Sequence, residues 1–223
     1  MDWLRRAASI DPQRIALETG DQAGISYGAL DATARARAAA LRRDGVASGD
    51  PVPIHGAPGL GFITELHAIL LSGAAAVPVD SRLSAEELEL RRVSERPRTP
   101  ACATVMFTSG TTSAPKQVEL TAANWEANAV GSAFALGLDP AERWLCVMGL
   151  AHVSGLGILI RSAIYGTTVV AHERFDTEAV LSDLMDPSRA VTLVSLVPTM
   201  LARLLDAGLA GPPTLRWALL GGG

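Results

Sequence analysis

Residues 107–116 bring hydroxyl side chains, a glycine and a lysine together in one short stretch, Phe-Thr-Ser-Gly-Thr-Thr-Ser-Ala-Pro-Lys. The residues with groups suited to an anion are Thr108, Ser109, Gly110, Thr111, Thr112 and Lys116. Gly110 can adopt a positive φ and lets a ligand approach the main chain, while Lys116 adds a positive charge. The stretch therefore predicts a phosphate-binding loop after a buried strand. It is not a Walker A loop, and a Ser/Thr-rich surface turn is the alternative.

A histidine, His152, lies in an otherwise apolar stretch and is followed by the small residues Ser154 and Gly155. Such a histidine is more often a core residue than a functional one. Here, however, the small residues would let a substrate come close to the backbone, and an imidazole can hydrogen-bond a carboxylate. His152, with Ser154 and Gly155 beside it, is therefore the candidate acyl-binding site.

The elements that must position these residues alternate between strand-like and helix-like segments, which predicts an α/β protein. Predicted helices cover about 27–43, 61–71, 84–93, 122–136, 176–185 and 198–208. Predicted strands cover about 52–55, 75–79, 103–107, 144–148, 168–171, 191–197 and 215–220. The polar stretch 95–100, with its two prolines, predicts an internal boundary between segments 1–97 and 98–223.

The loop at 107–116 resembles the phosphate loop of the acyl-adenylate-forming (AMP-binding) superfamily, which includes acyl-CoA synthetases, nonribosomal adenylation domains and luciferases. Its usual pattern is T-S-G-T-T-G-x-P-K-G, and this chain departs from it at Ser113 and Gln117. The segments 25–30 and 73–80 are similar to fold markers of the same superfamily. The resemblance implies layered α/β subdomains with mostly parallel sheets, as in the N-terminal part of the family's large domain.

Within that superfamily, His152-Val-Ser-Gly-Leu and the Val-Pro-Thr-Met-Leu segment at 197–201 resemble the o-succinylbenzoate–CoA ligases of menaquinone biosynthesis. The resemblance implies that the loop residues bind the phosphates of ATP and that the segment around His152 binds the acyl group. Gly221, Gly222 and Gly223 resemble the turn that flanks the adenine and the acyl group, although three terminal glycines also suit a linker. ATP, Mg²⁺, coenzyme A and a small carboxylic acid are the implied ligands.

In the family, a carboxylate attacks the α-phosphorus of ATP, and the thiol of coenzyme A then displaces AMP. A Thr-Glu pair that helps hold magnesium, a ribose-binding aspartate and the lysine of a C-terminal lid domain have no counterpart in residues 1–223. The expectation is an N-terminal fragment or truncated homologue, with no catalytic residue or metal ligand of its own and little activity alone. Cutting the sheet after Leu220 would expose apolar surface, which predicts self-association, with a homodimer as the simplest form.

Two other functions stay open at this point. One is a non-catalytic nucleotide- or acyl-binding module, which the departures at Ser113 and Gln117 favour. The other is adenylation of a different carboxylic acid. An amino acid would require an acidic residue near His152 to bind its amino group, and that stretch has none.

Composition excludes several classes of function. The 223 residues are 48% hydrophobic and 19% charged, which is typical of a globular protein, and the net charge of −4 gives no support for nucleic-acid binding. The apolar stretch 145–160 is too short and too polar to span a membrane, and the N-terminus lacks the apolar core of a signal peptide. Cys102 and Cys146 are interpreted as buried thiols, which together predicts a cytoplasmic protein.

Overall fold

The computed structural model describes residues 2–20, 22–80, 82–108 and 115–222. The helices are α1 (Trp3–Ile10), α2 (Tyr27–Arg43), α3 (Leu60–Ser72), α4 (Ala85–Glu89), α5 (Ala122–Leu136), α6 (Val153–Tyr165), α7 (Thr177–Met185) and α8 (Pro198–Asp206), with a 3₁₀ turn at Pro187–Arg189. The strands are β1 (Ile15–Thr19), β2 (Gln22–Ser26), β3 (Pro51–His55), β4 (Ala75–Val79), β5 (Cys102–Thr108), β6 (Lys116–Thr121), β7 (Arg143–Cys146), β8 (Thr168–Ala171), β9 (Leu193–Leu196) and β10 (Trp217–Leu220).

The strands form two sheets. A six-stranded sheet has the order β10-β9-β7-β8-β1-β2, and a four-stranded sheet has the order β3-β4-β5-β6. Neighbouring strands run parallel except in the hairpins β1–β2 and β5–β6. The predicted α/β class with mostly parallel sheets is confirmed.

Local sequence signals explain where the main helices begin and end. Ser26 caps α2, Asp176 caps α7, and Ser84 with Glu87 forms the predicted capping box of α4. Gly73 ends α3 with a φ of +86°, a left-handed conformation that favours glycine. The helix predicted to continue to Val93 was too long, because α4 ends at Glu89.

The predictions omitted α1, β1, β2 and β6. Helix α1 buries Trp3, Leu4 and Ala7 against the core. Strand β1 pairs with β8, far away in sequence, and β6 obtains its partner only by folding back on β5. Both strands depend on tertiary pairing more than on a local apolar run.

Both sheets draw strands from both sides of residue 97. Strands β1 and β2 join the sheet that contains β7 to β10, whereas β5 and β6 complete the sheet of β3 and β4. The predicted segments 1–97 and 98–223 therefore do not each form a sheet of their own.

One continuous hydrophobic core connects the two sheets. It includes Ile54 and Met106 from the four-stranded sheet and Leu17, Trp144 and Val169 from the six-stranded sheet. Cys102 and Cys146 are both buried, as predicted. Because the two sheets share this core, the loops at their carboxyl edges are held at fixed positions relative to one another.

Candidate active site

A cleft of about 530 Å³ lies where loops from the carboxyl ends of both sheets meet. Its lining comes from the segments that follow β3, β4, β7 and β8 and from the first turns of α8: Gly56–Pro58, Val79, Asp80, Arg82, Val147–His152, Glu173–Phe175, Thr199, Met200 and Arg203. Parallel α/β sheets place ligands outside the carboxyl ends of their strands, and this cleft occupies that position.

The predicted phosphate loop connects the two strands of the β5–β6 hairpin. Thr108 ends β5 and Lys116 begins β6, and these two exposed residues are directly paired across the hairpin. Paired residues of antiparallel strands project from the same face of a sheet, so the hydroxyl and the ammonium leave the hairpin on one side. Ser109, Gly110, Thr111 and Thr112 lie outside the described residues.

The base of this loop lies at the same sheet edge as the cleft. Strand β5 runs parallel to β4, with Ala76 opposite Thr104. Extending this register places Asp80, the residue after β4, level with Thr108, the last residue of β5. Asp80 lines the cleft, whereas Thr108 and Lys116 do not, so the base of the hairpin adjoins the cleft across the end of β4.

His152 lines the cleft and caps the N-terminus of α6 without a side-chain hydrogen bond to that helix. Ser154 and Gly155 follow in the first turn of α6 and do not belong to the described cleft lining. Gly155 is buried, and a Cβ built on it would lie 2.5 Å from the carbonyl oxygen of Gly149 and 2.8 Å from that of Met148. Because residue 155 is a glycine, the turn at Met148 and Gly149, which precedes His152, can pack directly onto α6.

The glycines predicted to flank the adenine and acyl group follow β10 at the same edge. The Gly221 N–H donates to the carbonyl oxygen of Leu196 at 3.2 Å, beside the start of α8. Gly222 has a φ of +73°, and a Cβ there would lie 3.4 Å from Cγ1 of Val197. Gly223 lies outside the described residues.

Sequence reasoning missed the charged residues of the cleft, chiefly Asp80 and Arg82. Arg82 donates from Nε to Oδ1 of Asp80 at 2.9 Å and from Nη2 to Oδ2 at 2.7 Å. The hydrogen bonds from Arg82 lower the pKa of Asp80 to about 2, and nearby His152 acts in the same direction. The available signal was their position directly after a predicted strand: Asp80 ends the segment 73–80, which was interpreted only as a fold marker, and Arg82 follows it.

The cleft as a whole suits an anionic ligand. Its cationic side chains are Arg82, Arg174 and Arg203, against the carboxylates of Asp80 and Glu173. The Arg203 guanidinium stacks on the Phe175 ring, 5.1 Å from its centroid, which fixes one wall. Helices α6 and α8 also begin at the cleft without side-chain caps, and helix N-termini favour negative charge.

Within the described ranges, no cluster of three or more His, Cys, Asp or Glu side chains is arranged to hold a metal ion. No helix among the described residues is long and apolar enough to cross a membrane.

This fold and cleft define a class of protein. A family model described as "AMP-binding enzyme" matches residues 4–99 and 90–223, and the chain belongs to that family. The predicted resemblance to the adenylate-forming superfamily is confirmed.

The particular relatives are CoA ligases. The chain is 34% identical to the 2-succinylbenzoate–CoA ligase of Bacillus licheniformis and 33% identical to that of Bacillus subtilis. These alignments cover 100% of this chain but only 54% and 53% of the relatives. The chain therefore spans about half the length of the curated relatives it matches.

Solved structures give the same result. The o-succinylbenzoate CoA synthetase of Bacillus subtilis in complex with its acyl-adenylate intermediate superimposes with a TM-score of 0.90 at 33% identity, covering 100% of this chain and 68% of that one. The same synthetase with ATP and a magnesium ion gives a TM-score of 0.89, also at 33% identity, over 100% of this chain and 55% of that one.

Proposed function

We propose that this chain supplies the ATP-phosphate- and acyl-binding part of an ATP-dependent acid–CoA ligase, with o-succinylbenzoate as the acid. The observation that carries the proposal is the position of the Thr108–Lys116 hairpin, which adjoins the cleft that also receives His152. Relatives that use ATP and o-succinylbenzoate support it. Two buried free thiols support a cytoplasmic location.

In the proposed reaction, an oxygen of the acid's carboxylate forms a bond to the α-phosphorus of ATP, and the bond to pyrophosphate breaks. The thiol of coenzyme A then loses its proton and attacks the acyl carbon, and the bond to AMP breaks. Thr108, Lys116 and the loop between them bind the phosphate oxygens, where fixed donors and a cation offset negative charge. His152 orients the acid by hydrogen bonding.

Mg²⁺ would accompany ATP in the proposed chemistry and offset the negative charge of its phosphates. Since the described residues offer no set of carboxylates for it, no ligand of Mg²⁺ is assigned in this chain. The other predicted site residues keep the roles that the family resemblance implies. The phosphate contacts are Ser109, Gly110, Thr111 and Thr112, the acyl contacts are Ser154 and Gly155, and the contacts beside the adenine and acyl group are Gly221–Gly223.

Lys116 makes a direct test possible because it is the only lysine of the sequence. An amine-selective acylating reagent followed by intact-mass and peptide analysis should modify Lys116 in the free chain. ATP should protect Lys116, and AMP should protect it less, because only ATP carries the phosphates that the loop binds. Equal labelling with and without ATP would refute the proposal.

Turnover distinguishes a ligase from a binding module. We expect the 223 residues to bind ATP yet catalyse little ATP–pyrophosphate exchange, because Lys116 is the only lysine of the sequence and its proposed place on the phosphates leaves no lysine for the acid's carboxylate. Robust exchange would contradict this expectation. The alternative of a non-catalytic binding module is favoured by Ser113 and Gln117, and reading the gene beyond codon 223 separates it from a ligase.

A further inference from the structure

Asp80 accepts three hydrogen bonds from Arg82. Besides the two bonds from the guanidinium, Oδ1 of Asp80 accepts the backbone N–H of Arg82 at 3.0 Å. The Asp80 side chain is only 19% exposed, so three donors of one residue converge on a carboxylate largely shielded from water. Charge-assisted, bidentate pairs of this kind fix geometry as well as charge.

The paired guanidinium still presents a free edge. Asp80 occupies Nε and one hydrogen of Nη2, and Nη1 has no hydrogen-bond partner among the described residues. The Arg82 side chain is 77% exposed although it is doubly bonded, and it lines the cleft. Its Nη1–Nη2 edge therefore remains available to a second oxyanion.

His152 comes close to the same small surface as Arg82. A Cβ built on Gly149 would lie 3.4 Å from Cδ2 of His152 and 3.9 Å from Nη2 of Arg82. The guanidinium of Arg82, in the loop after β4, and the imidazole of His152, in the loop after β7, thus both approach Gly149. The uncapped N-terminus of α6 begins there as well.

Given the function proposed above, we propose that Asp80 is a positioning residue: it holds Arg82 so that the free guanidinium edge, together with His152, binds an oxyanion of a substrate. A carboxylate of the acid and a phosphate of coenzyme A or ATP share the required chemistry. The planar guanidinium can bind either group bidentately. Gly149 has no side chain and leaves room for that group beside Arg82 and His152.

The test measures the affinity of the 223-residue chain for o-succinylbenzoate, coenzyme A and ATP by calorimetry, in the parent, Asp80→Asn and Arg82→Lys. Asparagine removes the charge that orients Arg82, and lysine keeps the charge but loses the fork. Each variant should weaken the ligand that occupies the subsite by about tenfold, the equivalent of one charge-assisted hydrogen bond. The ligand that weakens identifies the oxyanion.

Two controls separate positioning from a structural role. Asp50→Asn removes a similar aspartate–arginine pair, with Arg96, at the amino end of β3 and should leave all three affinities unchanged. An analogue of the affected ligand with a neutral amide, or without the phosphate, should bind the parent and Asp80→Asn equally.

Unchanged affinities in both cleft variants would overturn the proposal. Equal weakening of the charged ligand and its neutral analogue would also overturn it, since that result indicates a general structural defect. Protection of Lys116 by ATP is measured on the same variants. If ATP does not protect Lys116 in the parent chain, the proposed function is refuted. If ATP protects Lys116 and the affinities of both cleft variants are unchanged, only the proposed role of Asp80 is refuted.

Discussion

At the scale of single residues, His67 on α3 shows how burial sets chemistry outside the cleft. Its ring is buried, and Nε2 has no hydrogen-bond partner among the described residues. Desolvation lowers the pKa of His67 to about 4, from an ordinary value of 6.5. The native chain therefore keeps this imidazole neutral at pH values at which the unfolded chain protonates it.

Burial of His67 makes the free energy of unfolding depend on pH. Between pH 6.5 and 4 the unfolded state binds more protons than the native state, so stability falls as the pH is lowered through this window. We expect His67 alone to reduce the free energy of unfolding by about 2 kcal/mol between pH 7.5 and 5. Urea unfolding at the two pH values measures this difference.

Comparison of two histidine variants assigns the effect. His67→Leu should lose most of the drop, whereas His55→Gln, at an exposed histidine, should retain it. If His67→Leu showed the same pH dependence as the parent chain, the buried imidazole would not be its source.

At the scale of elements, the sequence predicted best what local signals encode. Apolar runs and helix caps predicted α2, α3, α7 and the central strands, because each of these elements is recognisable from its own residues. Strand β6 was missed because Lys-Gln-Val-Glu-Leu-Thr carries no apolar run, and its conformation comes from pairing with β5. The Asp80–Arg82 pair was missed for a related reason, since charges after a strand resemble a solvated loop until β7 and α6 place His152 beside them.

The packing of α6 on its preceding turn gives a prediction at this scale. Gly155→Ala would drive a Cβ into the carbonyl oxygens of Met148 and Gly149, and neither backbone group can move without displacing the turn. We expect a loss of about 1–3 kcal/mol of stability, the usual cost of overpacking. Chemical denaturation measures it.

A matched helical glycine provides the control. Gly131 lies in α5, and a Cβ there would meet nothing within 4 Å. Gly131→Ala should therefore stabilise the chain by roughly 0.5–1 kcal/mol. Equal effects of the two substitutions would show that contact with the turn does not matter.

The connection between α4 and β5 covers residues 90–101. Few contacts fix this connection. Glu119 accepts the backbone N–H groups of Arg98 at 3.0 Å and Thr99 at 2.6 Å.

Removing the Glu119 charge should loosen the connection. We expect trypsin to cleave Glu119→Gln after Arg98 about fivefold faster than the parent chain, because two charge-assisted hydrogen bonds become weaker neutral ones. Glu95→Gln lies in the same connection and has no hydrogen bond among the described contacts, so its cleavage rate should not change. Equal rates in all three proteins would show that Glu119 does not anchor the connection.

At the scale of the whole molecule, the described surface carries apolar area that a monomer leaves in water. Phe134 on α5 is 88% exposed, exposed Val130 lies one turn before it, and exposed Leu138 follows the end of the helix. The edge strand β10 adjoins the end of α5, because the Trp217 indole N–H donates to the carbonyl oxygen of Leu136 at 3.1 Å. Exposed apolar patches beside an edge strand favour association between chains.

We therefore expect the 223-residue chain to self-associate reversibly as its concentration rises, with a net charge of only −4 giving little repulsion. Phe134→Glu should shift sedimentation-velocity profiles towards the monomer, since it places a charge at the centre of the apolar patch formed by Val130, Phe134 and Leu138. Ile10→Glu is the matched control, because Ile10 is also exposed but lies on α1, outside this apolar patch. A parent chain that stays monomeric at high concentration would contradict the prediction, and equal effects of the two substitutions would place the contact elsewhere.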